Sequence, residues 1–394
     1  MGSVRIAAPE VEIVAPRDDR EIAAYAALAH ASFGTEIPDI GYLRPHALTR
    51  VATENGRVLA GAMGIPVPQF FGGRAVPSAC VSAVCVAPEA RGRGIAGRLM
   101  AELVRGLRDE HGAAAVSLWT PSVGLYRRWG WGTIATPCRW VLPAAQLREF
   151  RRTTAPGLGI VEGVHAFQQE EARAWNGPVR RPAWWWEWKR ATAPATTYHL
   201  TDTSGEVTGY LTATTAPVKP WGHDMFVHEL AARDRQSLHT LIGFLGEHAS
   251  QVQDIHLGPT ATPVLSGLLD HLSQFSARAR TWYPWMLALV DPVEAVRARG
   301  WDEDLDVDLV LSVADPQGRT TGYRLSVHGG AGRLETTGDN PDVELTSGHL
   351  AAWYAGAFGS PARMRVVGVR GRPAALRRLS RTTDDREPWL PDTF

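Results

Sequence analysis

Between Val81 and Met100 the chain passes from an apolar β-branched run into a glycine-rich basic loop and then into a helix, an order that few folds accommodate. Val81, Val84 and Val86 mark a strand, and Pro88 ends its ladder. Ile95, Leu99, Leu103 and Leu107 then recur at helical spacing. Between the two, Gly92, Gly94 and Gly97 leave little side-chain bulk, so backbone N–H groups can approach an oxyanion closely. The positive end of the following helix dipole points at the same place, and Arg91 and Arg93 add charge. The segment reads as a cradle for a diphosphate.

The loop has no Gly-Lys-Ser/Thr ending, which excludes a nucleoside-triphosphate P-loop, and its glycines miss the Gly-x-Gly-x-x-Gly spacing of dinucleotide binders. It fits Arg/Gln-x-x-Gly-x-Gly/Ala, carried by Arg91, Gly94 and Ala96 after Val84-Cys85-Val86 and Pro88. In these residues the chain resembles the GNAT superfamily of N-acetyltransferases. The resemblance implies acetyl-CoA as co-substrate, its amide-bearing arm paired with the backbone of Val84, Cys85 and Val86. Its diphosphate would lie on Arg91, Gly92, Arg93, Gly94, Ile95, Ala96 and Gly97, with Ser122 in the same binding set. Further on, Ser117–Thr120 predicts a strand, and the segment from Pro121 to Gly132 resembles the helix that carries a tyrosine near the thioester sulfur. A phenol of pKa about 10 suits protonation of a leaving thiolate whose acid has a pKa of about 8.5, which makes Tyr126 the candidate general acid.

The length of 394 residues, Tyr126, a large C-terminal half and a terminal phenylalanine narrow the resemblance to the actinobacterial "enhanced intracellular survival" (Eis) acetyltransferases. That family implies an α/β (α+β) chain of three units: a catalytic acetyltransferase domain at 1–150, a degenerate second acetyltransferase-like domain at 151–290, and a sterol-carrier-protein-like α+β domain at 291–394. It also implies a homohexamer, acetylation of aminoglycosides or lysine side chains, and a general base at the C-terminal carboxylate of Phe394. Within the second unit, Met225–Ala232 followed by a helix echoes the first cofactor segment, but its turn from Ala232 to Ser237 holds no glycine. A repeat that kept the fold and lost the cofactor is the expectation. The family architecture further implies Glu36, Asp39 and Asp392 as candidate acidic groups for a cationic acceptor. Three readings follow: transfer to an aminoglycoside or polyamine, transfer to a protein lysine or N-terminus, or a lipid or sterol carrier with a vestigial acetyltransferase module.

The charge balance of 41 basic against 41 acidic residues opposes a nucleic-acid binder driven by bulk phosphate attraction. No apolar run approaches the roughly 18 residues of a membrane span, and a cytoplasmic protein is expected. Cys80, Cys85 and Cys138 make neither a disulfide framework nor a metal-ligand pattern, so no metal is expected, and Cys85 reads as a small buried hydrophobe. The tryptophans at 184–186 and 188 read as core or subunit contact. Further elements are expected at Val11–Val14, Glu21–Phe33, Val51–Met63, Thr197–Leu200, Gly209–Thr214, Ser237–Ala249, Leu305–Leu311, Tyr323–Val327, Val343–Leu345 and Leu350–Phe358.

Overall fold

In the computed structural model two seven-stranded sheets exchange strands; the structure describes residues 11–34, 39–150, 154, 156–158, 162–192, 194–218, 220–258 and 277–394. The first sheet runs Glu12–Val14, Leu48–Glu54, Arg57–Pro66, Ser78–Val86, Ala115–Trp119, Trp285–Leu289 and Gly132–Ala135. Asn55 and Gly56 join its first hairpin with φ of 50° and 76°, the pair of positive values a tight primed turn requires. Helix Asp19–Phe33 is capped by the Asp18 side chain, and helix Ile95–His111 buries the Leu99, Leu103 and Leu107 stripe against the sheet.

Sheet membership departs from the expected divisions at 150 and 290. Trp285–Leu289 inserts antiparallel between Ala115–Trp119 and Gly132–Ala135 of the first sheet. In exchange Cys138–Pro143 leaves the first unit and pairs with Val252–Leu257 and Arg278–Thr281. The cause is burial: Trp285, Met286 and Leu287 are fully enclosed, which requires covering on both faces. The Trp285 indole donates to Ser117 Oγ at 3.1 Å, Ser117 donates to Gln69 Oε1 at 2.8 Å, and Gln69 Nε2 donates to the Gly177 carbonyl at 2.6 Å.

The second sheet continues through Thr196–Thr201, Val207–Pro217 and His223–Ala232, with helix Arg235–Glu247 on one face. A third sheet holds Asp306–Ala314, Thr320–His328, Ala331–Thr336 and Val343–Thr346. Its helix Ser347–Tyr354 lies so close to the first sheet that a Cβ on Gly132 would stand 2.0 Å from the Gly348 carbonyl oxygen. Trp353 and Tyr354 share one apolar cluster with Trp285 and Leu287, so the first and third units have a common core. Helix Ala183–Thr192 places Trp185 and Trp188 in that same cluster, within a single chain. Among the described residues no helix is long and apolar enough to cross a membrane.

The chain end is sewn into this core. Asn176 uses every polar group: its N–H donates to the Glu387 carbonyl at 3.0 Å, its carbonyl accepts from Trp389 N–H at 2.8 Å, and its side chain bonds Gly72, Ala355 and Arg386. Asp392 is buried, accepting from Arg181 Nε at 2.7 Å and from Val179 N–H at 2.9 Å. Arg181 in turn donates to both oxygens of Glu229 at 3.0 and 2.9 Å and lies over the Trp186 ring at 4.7 Å. Burial pulls the Arg181 guanidinium down, but Asp392 and Glu229 carry it well above its ordinary value. Burial likewise pushes the Glu229 carboxyl up, and Arg181 with the Tyr210 hydroxyl more than reverses this, holding it below its ordinary value. A depressed carboxyl stabilises the fold above the ordinary carboxylate range and loses that contribution as pH falls through its folded value. Asp392→Ala leaves an acceptor-less Val179 N–H and half of a buried charge pair, so urea unfolding should show a loss of about 3–5 kcal/mol. Acidification through the carboxylate range should weaken the parent protein in the same direction.

Candidate active site

Strand Ser78–Val86 and strand Ala115–Trp119 are parallel partners only over Ser78–Cys80 and Ala115–Ser117. Beyond that point the ladder stops and the strands part. On its other edge Ser78–Val86 bulges, with Met63 opposite Ser82 and Gly61 opposite Cys85. Ala83 sits in this bulge at φ 53°, a conformation that costs a residue with a Cβ about 1 kcal/mol or more. The Tyr25 hydroxyl donates to the Ala83 carbonyl at 2.9 Å and holds the kink. Beside Val84 this side of the strand has no ladder partner among the described residues, which leaves a wedge for an added amide-bearing strand, while the Val86 carbonyl is taken by Arg91. Cys85 turns inward with Sγ at 3.9 Å from the Gly61 carbonyl, and burial pushes its thiol up to about 12. A thiol so far from ionised at neutral pH is packing, and its site contribution is main-chain only.

The loop after this strand is anchored by Ala87 N–H donating to the Leu59 carbonyl at 2.8 Å. Gly92 and Gly94 have φ of 79° and 73°, and a Cβ at either would meet no atom within 4 Å. That open space lies at the start of helix Ile95–His111, whose N-cap Gly94 carries no side chain to occupy the free N–H groups. Arg91 is exposed and turns its Nε to the Val86 carbonyl at 3.4 Å, whereas Arg93 pairs with Glu54 at 2.5 Å. Ile95 points into the core, and Ala96 is half-buried. Gly97 lets the helix start lie against Trp129, since a Cβ there would stand 3.3 Å from the indole nitrogen. Ser122 is exposed, and its N–H donates to Thr120 Oγ1 at 2.9 Å.

Tyr126 lies in helix Val123–Arg127, buried edge-on against Trp129 and Trp131 with centroids at 5.4 and 5.7 Å. Burial pushes its phenol up to about 12, so the proton stays on the oxygen throughout the neutral range. The chain terminus meets the first sheet at the end of strand Ala115–Trp119. Trp119, which ends strand Ala115–Trp119, donates its indole N–H to the Asp392 carbonyl at 2.8 Å. The Lys189 ammonium donates to the Thr393 carbonyl and, at 3.2 Å, to its hydroxyl. Phe394 follows, half-buried against the common core.

Asp392 is not a cleft carboxylate: both its oxygens are engaged by Arg181 and Val179 in the interior, where a cationic substrate has no access. Glu36 and the side chain of Asp39 lie outside the described residues. Sequence reasoning missed Ala83, Trp119, Arg181 and Lys189. A signal for Arg181 existed in the tail, where the lone acid Asp392 follows Trp389, Leu390 and Pro391 and calls for a buried cation. Nothing local marks the others. In the second unit the turn is closed by its own acid, Asp234, whose carboxylate accepts from Ser237 N–H at 2.8 Å at the start of helix Arg235–Glu247. A carboxylate already on the helix N-terminus repels a diphosphate. Asp224, Asp254 and His256 stand close together on this sheet, joined to one another and to Arg278 by hydrogen bonds.

Three family models match the chain: an acetyltransferase (GNAT) domain over residues 15–134, a second acetyltransferase (GNAT) domain over 177–299, and a sterol carrier protein domain over 292–391. An uncharacterized N-acetyltransferase of Streptomyces avermitilis is 27% identical over 391 residues, covering 90% of each chain. The chain is an acetyltransferase carrying two GNAT domains. Its fold is that of a GCN5-related N-acetyltransferase from Anabaena variabilis, with a TM-score of 0.84 at 22% identity over 98% of this chain and 100% of that one. It is likewise that of Eis1 from Mycobacterium abscessus, with a TM-score of 0.75 at 23% identity over 98% and 100% of the two chains. Two acetyltransferase-type domains and a sterol-carrier-type domain are thus present, and acetyl-CoA is the acyl donor that a GNAT domain implies. The open glycine corner and uncapped helix of the first unit fit its diphosphate, and the Asp234-capped helix of the second does not. Gly94→Trp should abolish acetyl-CoA binding by calorimetry while circular dichroism stays unchanged, and the parent chain should bind one equivalent; two equivalents would contradict the reading of the second repeat.

Proposed function

We propose that this acetyltransferase moves the acetyl group of acetyl-CoA directly to a primary amine, with Tyr126 as general acid and the Phe394 main-chain carboxylate as general base. What supports the reading is that the Tyr126 phenol is buried in one apolar cluster with Val84 and Val86, beside the point where the strands part, and that the tail is fixed through Trp119 at the end of the neighbouring strand. The neutral amine nitrogen attacks the thioester carbonyl carbon, and its surplus proton passes to the terminal carboxylate. The tetrahedral intermediate collapses as the C–S bond breaks, and the departing thiolate takes the Tyr126 proton. An α-carboxylate with an ordinary pKa of about 3.5 is a weak base in water, so the half-buried setting of Phe394 against the common core is what favours the role. Burial of both core cysteines favours direct transfer over a covalent enzyme intermediate.

The third unit has its core filled by Leu309, Leu311, Leu345, Trp353 and Leu379, which favours a packing role, with the tail as its product, over lipid carriage. The resemblance extends the reading to an aminoglycoside or polyamine acceptor, with a protein amine as the alternative, and to a homohexamer whose mass light scattering would give. Tryptophan density adds nothing to the hexamer, since Trp185, Trp188, Trp285 and Trp353 are buried within one chain.

Tyr126→Phe should leave acetyl-CoA affinity intact and lower kcat by about 10²–10⁴-fold. Because burial holds this phenol at about 12, the parent enzyme should show no loss of rate from Tyr126 ionisation below pH 10 or so. Residues appended after Phe394 convert the carboxylate to an amide while keeping the ring. Such a chain should bind acetyl-CoA normally and lose most of its turnover; full turnover would remove the terminal carboxylate from the mechanism.

A further inference from the structure

A cavity of about 680 Å³ opens on the face of the second sheet that looks toward the chain terminus, a volume suited to a small-molecule ligand. Thr393 and Pro391 form one wall, so it begins one residue from the Phe394 carboxylate. Trp282 forms another, and its ring tilts onto Trp119 with centroids at 4.9 Å, the same Trp119 that holds Asp392. The cavity is thus joined through this pair of tryptophans and the tail to the end of strand Ala115–Trp119, the neighbour of the Val84 strand.

The lining is basic and aromatic. Arg139, Arg190 and Arg280 reach it, and among the described residues none of the three has a carboxylate partner. The one carboxylate of the lining, Glu229, is held at both oxygens by Arg181. Arg139 and Arg280 are direct cross-strand neighbours on antiparallel strands, an arrangement in which like charges repel. Arg139 also lies over the Trp282 ring at 5.6 Å. The His228 imidazole, inside the same cavity, is held below its usual range by burial, and Lys189 and Arg139 depress it further against the pull of Glu229. A facing pair of arginines with no carboxylate partner among the described residues, beside a half-buried indole, is a receptor for a planar anion, and a polycation entering it meets like charge on that wall.

We propose that this cavity is the acceptor pocket of the Tyr126 site and that it takes a primary amine whose aromatic or planar body carries its own anionic group, a carboxylate or phosphate. The anion bridges Arg139 and Arg280, the body lies against Trp282, and the amine extends past Thr393 to the terminal carboxylate and the thioester. This rests on the acetyl-transfer reading above and departs from the polycationic acceptor that the family resemblance implies.

The test uses the full chain and three primary amines of different charge: para-(aminoethyl)benzoate, tyramine and kanamycin. Thiol release from acetyl-CoA should give para-(aminoethyl)benzoate a kcat/KM about tenfold or more above tyramine, with kanamycin lowest. Raising ionic strength should lower that preference. Arg139→Ser with Arg280→Ser, both exposed positions, should bring the preference to near unity without altering the circular dichroism. Quenching of tryptophan fluorescence by para-(aminoethyl)benzoate reads occupancy without turnover, and the double variant should weaken it about tenfold. Turnover of tyramine or kanamycin equal to or above that of the benzoate, or a preference that survives in the double variant, overturns the proposal and leaves the acetyl-transfer reading standing. Arginine-dependent quenching with no thiol release from any amine does the reverse: the anion pocket stands, and its role as an acceptor site for Tyr126 falls.

Discussion

Arg181 is the interaction on which the rest depends. Its guanidinium is enclosed, faces Trp186, and carries Glu229 of the second sheet on one side and Asp392 of the C-terminal tail on the other. Ions removed from water are tolerated only when each finds its counter-charge and hydrogen bonds, so this cluster forms only when the tail is home and the second sheet is in place. A terminus that would otherwise fray is thereby fixed at the edge of the first sheet. The second unit, which supplies Glu229, and the third unit, which leads into the tail, together hold that tail in place. The common core of Trp285, Trp353 and Tyr354 makes the arrangement rigid on its other side.

The two acetyltransferase-type sheets diverge at one small place. In the first, glycine occupies the N-cap of the helix and two positive-φ positions, leaving free N–H groups over open space. In the second, Asp234 caps the equivalent helix and satisfies Ser237 N–H. The same strand–turn–helix unit is an open, uncapped corner in one copy and a corner closed by its own carboxylate in the other. On its opposite face the second sheet bears a cavity that reaches the tail, lined by aromatic rings and by Arg139, Arg190 and Arg280, which have no carboxylate partner among the described residues.

Much of this was legible in the sequence where the chemistry is local. The alternation of Leu305, Val307, Leu309 and Leu311 gave strand Asp306–Ala314, and Ser237–Ala249 lies over helix Arg235–Glu247. Glycines at 92, 94 and 97 marked the cofactor loop because glycine is needed where φ is positive or where Trp129 approaches. The exchange of Trp285–Leu289 for Cys138–Pro143 was not legible, since a strand's periodicity says which face is buried and nothing about its neighbour. Asp392 was misread as a site acid because charge alone does not reveal burial; its partner lies 211 positions away. Ala83 carries no sequence mark of its strained φ, and the basic cavity is assembled from six strands and a helix that no short motif spans.

The central claim is that diphosphate loop, phenol and chain terminus face one thioester, and a crystal structure of the full chain with CoA tests it most directly. The account predicts diphosphate oxygens on the main-chain N–H groups between Gly92 and Gly97, and the sulfur in the wedge beside Val84. The Tyr126 hydroxyl and the Phe394 carboxylate should both open toward that sulfur. Diphosphate bound at the Asp234 turn, or a Phe394 carboxylate turned away from the sulfur with the tail still held by Arg181, would contradict it.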